Sequence, residues 1–143
     1  MCNILFGCVC KIIDSVYDCK SCCNRVSRPS YCGAGCGAGA GIAYLLGGDY
    51  RAIAHTIVNA VAILSGTICD GAKPSCAAKI ASAVEAGILG YYMYVNDQQF
   101  RGGDGIVAKG VENTIRNVGL LASQGMKQTD RVILNIMTGD QCL

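Results

Sequence analysis

Cys69 and Cys76 stand seven residues apart, too far to share one helical turn. Gly71 and Pro74 lie between them, and both residue types let a chain fold back on itself. The run Cys69-Asp70-Gly71-Ala72-Lys73-Pro74-Ser75-Cys76 therefore reads as a loop that can aim two sulfurs at one point. Thiolates are soft donors and suit zinc, copper(I) or iron–sulfur clusters. A third thiol would come from upstream, from Cys32 or Cys36, and no fourth partner is evident nearby. A closed structural zinc site takes four protein ligands. Three thiolates around a cluster leave one iron open to act as a Lewis acid. The competing reading is that these are ordinary core cysteines, which pack as small hydrophobes.

Composition narrows the setting. The chain has 143 residues, enough for one ordinary domain. Net charge is +2, charged residues make up 15%, and no basic patch with interleaved aromatics suggests nucleic acid. Of eleven cysteines, eight fall in the first 36 residues, while the apolar bulk of the chain holds few. That distribution differs from a secreted disulfide scaffold, whose core is poor and whose cysteines are regularly spaced. A reducing, cytoplasmic compartment is expected. The apolar run 4–13 is broken by Cys8, Cys10 and Lys11 and lacks a basic start, so it does not read as a signal peptide. Residues 1–31 read as a cysteine-rich leader, poorly ordered or unrelated to the domain that follows. Its Cys19-Lys20-Ser21-Cys22, with Cys23 and Cys32, leaves open a non-catalytic thiol-rich zinc module as the alternative function.

The elements that would position the thiols are helical. Residues 33–48 are glycine- and alanine-rich; no strand precedes them and no Lys-Ser/Thr follows, so a phosphate loop fails its context. They read as a closely packed helix stopped by Gly47-Gly48. Asp49 is placed to cap a second helix over residues 50–68, with Ile53, Ile57, Val61, Leu64 and Ile68 on one face. His55 and Asn59 lie one turn apart on another face, as an active-site wall or as a solvent stripe or buried hydrogen bond. Pro74 suits the start of a third helix, whose core face is expected to be Ile80, Val84, Ile88, Tyr91 and Val95. A fourth is expected over residues 107–123 and a last one capped by Thr129. No stretch alternates with period two. The expected class is all-α, a small bundle of about five helices. A small membrane protein is the second alternative, disfavoured because the third helix contains Lys79 and Glu85, and a charge at mid-bilayer costs about 2.5 kcal/mol or more.

Several of these motifs, in order, resemble one family. Ile68-Cys69-Asp70-Gly71-Ala72-Lys73-Pro74-Ser75-Cys76-Ala77 resembles the cluster loop of the L-cysteine desulfidases, which are related to the α-chain of iron–sulfur L-serine dehydratases. Gly39-Ala40-Gly41-Ile42-Ala43-Tyr44-Leu45-Leu46-Gly47-Gly48-Asp49 resembles the family's glycine-rich helix. Gly110-Val111-Glu112-Asn113-Thr114-Ile115-Arg116-Asn117-Val118-Gly119 and the segment from Gln124 through Met137 are similar to its C-terminal part. The resemblance implies a [4Fe–4S] cluster bound through iron to Cys32, Cys69 and Cys76, with Cys36 as the alternative to Cys32. It implies β-elimination from L-cysteine, giving sulfide, ammonia and pyruvate, or from L-serine, giving ammonia and pyruvate. Asp70 and Lys73 are the candidates for contacting substrate or orienting the loop. Cys142 is expected to be a tail thiol rather than a ligand. Members of the family are roughly three times as long, so residues 32–143 correspond to a C-terminal fragment. Expected partners are a small amino acid and either a second copy or a partner chain supplying the missing N-terminal part.

Overall fold

The computed structural model describes residues 30–68 and 74–139, and among them every regular element is helical. The helices are α1 (Ser30–Leu45), α2 (Tyr50–Leu64), α3 (Pro74–Val95), α4 (Val111–Leu120) and α5 (Lys127–Thr138). A π-helical turn, Leu121–Gly125, joins the last two. Residues 1–29, which make up most of the leader expected over 1–31 and hold its thiol motifs, lie outside the described residues, as does Cys142.

Local chemistry sets the boundaries. Gly47, at φ +81°, ends α1. Its N–H donates to the Tyr44 carbonyl, and the Gly48 N–H donates to the Ala43 carbonyl. This pair of bonds satisfies carbonyls that the helix end would leave open. Asp49 caps α2 as expected, its Oδ1 accepting the Ala52 N–H at 2.8 Å. Replacing Asp49 with alanine should lower stability by about 1 kcal/mol, read by thermal denaturation. α2 stops at Leu64, earlier than the apolar periodicity suggests, because the Ser65 hydroxyl and N–H both bond the Ala62 carbonyl. Ile68 consequently lies outside the helix and is exposed.

The first three helices pack on one another and form the core, and α4 packs against α2. Cys36, Ala40, Ala43, Ile53, Ile57, Ala60, Val61, Leu64, Ala83, Ala86 and Ile115 are buried together. The inward face of α3 differs from the sequence expectation. Ala83, Ala86, Gly87 and Gly90 are buried, whereas Ile80, Ile88 and Val95 are exposed. The cause is the close approach of α1: a Cβ at Gly39 would sit 2.7 Å from the Gly87 Cα, so only small residues fit there.

Two further boundaries are corrected. α4 starts at Val111 instead of 107, because residues 107–110 turn around the buried Thr114. The Thr114 hydroxyl accepts the Ala108 N–H and lies against the Ala108 and Gly110 carbonyls. α5 starts at Lys127, so Thr129 lies inside it and is not its cap. In the π-helical turn the Met126 N–H reaches the Leu121 carbonyl, five residues back. α5 has no buried residue.

Candidate metal centre

The glycine contacts define how the thiol-bearing helices are aligned. Position 35 of α1 meets Ala83 of α3, and position 39 meets Gly87. Both numbers rise by four, so α1 and α3 run parallel in register. Pairing 35 with 83 places Cys32 level with Ile80, one turn from Cys76. At the rise of an α-helix, four residues are about 6 Å along the axis. Cys32 is the third residue of α1, and Cys76 is the third residue of α3. Both helices therefore begin at the same end of the bundle.

α2 runs the other way. The Asn59 Nδ2 donates to the Gly90 carbonyl at 2.9 Å, and the His55 ring stacks on Tyr94 with centroids 5.4 Å apart. Along this pair one number falls as the other rises. α2 thus ends where α3 begins, and the connection bearing Cys69 bridges these two ends. Cys69, Asp70 and Lys73 themselves lie outside the described residues. Cys76 is half-buried. Cys36 is 2% exposed and sits in the apolar core, level with Val84 and two turns from Cys76. Among the described residues, no group of three or more His, Cys, Asp or Glu side chains is gathered closely enough to hold a metal ion.

His55 and Asn59 do not form a wall of this end. His55 is level with Tyr94, eighteen residues beyond Cys76, which is roughly 27 Å along the helix. Asn59 is fully buried and makes two bonds: besides donating to Gly90, its Oδ1 accepts the Phe100 N–H at 3.0 Å. It clamps the post-α3 loop onto the bundle. Its periodicity marked it as polar on an apolar helix, but neither partner can be named from spacing alone.

The sequence profile described as "Serine dehydratase alpha chain" matches residues 29–135, well over half of the chain. The chain belongs to the serine dehydratase alpha chain family. It is 70% identical over 116 residues to a UPF0597 protein of Desulfitobacterium hafniense (strain Y51), covering 79% of this chain and 27% of that one. It is 53% identical over 111 residues to a UPF0597 protein of Finegoldia magna, covering 76% and 27%. It is 46% identical over 114 residues to one of Treponema denticola, covering 78% and 26%. The chain thus spans about a quarter of the length of these UPF0597 relatives. No solved structure matches it. Among the described residues, no helix is long and apolar enough to cross a membrane.

Proposed function

We infer that this chain is the thiol-bearing part of an iron–sulfur lyase acting by β-elimination on a small amino acid, L-cysteine or L-serine. The observation that carries the reading is the parallel register of α1 and α3. It brings the first turns holding Cys32 and Cys76 to one end of the bundle, the end at which α2 stops and α3 starts, and Cys69 stands between those two helices in sequence. A cluster with three protein ligands would draw on three such soft donors, Cys32, Cys69 and Cys76. Cys32 is favoured over Cys36 as the upstream ligand, because Cys36 is one turn deeper and packed among apolar side chains.

When bound, such a cluster supplies a Lewis-acidic iron with a position open to the leaving thiol or hydroxyl. The chain's own part is to carry Cys32 and Cys76 on the first turns of two parallel helices, with Cys69 in the connection that precedes the second. Asp70 and Lys73, in the same connection, are positioned in sequence to contact the amino acid or to orient the loop. The remaining three-quarters of the relatives' length would supply the rest of the substrate site. That the family is described as an alpha chain supports a companion chain as one source.

Anaerobic reconstitution with iron and sulfide tests the reading. The full chain should turn brown and retain iron, as measured by metal analysis and absorbance. Cys32→Ser, Cys69→Ser and Cys76→Ser should each lose most of that iron, while Cys36→Ala should keep it. A colourless, iron-free wild-type chain ends the reading.

A further inference from the structure

α1 carries no charged residue anywhere along Ser30–Leu45. One side of it is spent on α3, through Gly35 and Gly39. The opposite side holds Gly37 and Gly41, a helical repeat of four, and a Cβ at either would meet no described atom within 4 Å. Beside them Tyr44 is 49% exposed and Leu45 is 83% exposed. α3 repeats the pattern. Its outward face runs through Ala77, Ala81, Glu85, Ile88, Leu89, Tyr92 and Val95, with one charge in more than four turns.

A helix that is apolar all round belongs either in a membrane or in the interior of a larger protein. Neither α1 nor α3 is long and apolar enough to cross a membrane. Glycine inside a helix weakens it relative to alanine, and Gly37 and Gly41 make no close contact within the described unit that would require them. Small residues at a spacing of four let a second helix backbone approach closely. The amount of chain available to supply that helix is large, since the relatives are nearly four times as long as the aligned segment.

We propose that the Gly37/Gly41 groove of α1 and the outer apolar face of α3 seat a helix from the portion of the family's polypeptide that this chain does not span. The occupant is protein and helical, and it lies directly on the α1 backbone. The proposal rests on family membership and helix surface chemistry. Iron binding does not enter it, so a failed reconstitution leaves it standing.

The test uses opposite signs. In the full 143-residue chain, G37A/G41A should raise the Tm by about 3 °C per substitution, since alanine is the better helix former and nothing obstructs it. The same pair should weaken binding to the part of the Desulfitobacterium hafniense relative outside the matched segment by tenfold or more, measured by titration of the co-purified pieces. As a second measurement, alanines at the aligned positions of the full-length relative should lower its Tm. Three results overturn the proposal. A Tm fall in this chain would mean that the groove is filled from within it. A wild-type homodimer broken by the pair would assign the groove to a second copy. Binding unaffected by the pair, or absent together with a Tm rise in the full-length relative, would leave no helix on the groove.

Discussion

Gly39→Val is expected to destabilise the bundle by about 3 kcal/mol, at the upper end of what overpacking normally costs. The added Cβ would lie 2.7 Å from the Gly87 Cα and 3.1 Å from its carbonyl carbon and oxygen. All three are backbone atoms, so no side-chain rotation relieves the overlap. The helices must separate, and Cys36, Ala40, Ala43, Ala83 and Ala86 lose their packing together. A loss of that size is a large fraction of the ~5–15 kcal/mol that holds a typical domain folded. Chemical denaturation of the variant beside Gly41→Val provides the control, because position 41 has no described neighbour within 4 Å. Gly39→Val should show a clearly lower midpoint and Gly41→Val none. Equal midpoints would mean that α1 and α3 do not rely on this approach. The variant should also retain less iron on reconstitution, since the same contact aligns Cys32 with the start of α3.

Asn59→Leu is the second large effect, expected at about 2–4 kcal/mol from unpaired buried groups. Leucine matches the apolar surroundings and roughly the volume, but it can neither donate to the Gly90 carbonyl nor accept from the Phe100 N–H. The Phe100 N–H loses its side-chain acceptor, and the loop after α3 loses its tie to the core. Hydrogen exchange should therefore accelerate at Phe100 and its neighbours more than in α1. Uniform loss across all helices, with no excess in this loop, would mean that Asn59 acts only as filler. Asn59→Ala, which leaves room for water at the site, should cost less than leucine at the Phe100 amide.

Much of the helical scaffold was legible from spacing. Asp49 as a cap, Gly47 as a stop and Pro74 as a start each have a mechanism that acts within a few residues, and each is found where expected. The face of α3 was not legible, because size of apolar side chain is a poor guide where two helix backbones nearly touch. Ala83, Gly87 and Gly90 are invisible to a search for large hydrophobic residues, yet they make the contact. The start of α4 was hidden for a different reason. Val107 fits the helical periodicity and is indeed buried, but Thr114 bonds locally to the turn that holds it. Of the thiols, the loop motif pointed to Cys69 and Cys76, while the common end shared by α1 and α3 follows from a register that no sequence interval encodes.

The shared direction of α1 and α3 carries an electrostatic consequence. Each helix N-terminus bears about half a positive charge from its aligned peptide dipoles. Two such ends lie together, and among the described residues the C-terminal end of α2 beside them offsets about half of the sum. Parallel dipoles side by side repel, so an anionic group at this end would relieve that repulsion. Loading and folding are then thermodynamically linked, because whatever binds the native form alone raises its stability by mass action. The cluster proposed for this end, being anionic, should therefore raise the Tm of the chain when it binds, and added salt should stabilise the cluster-free chain more than the loaded one.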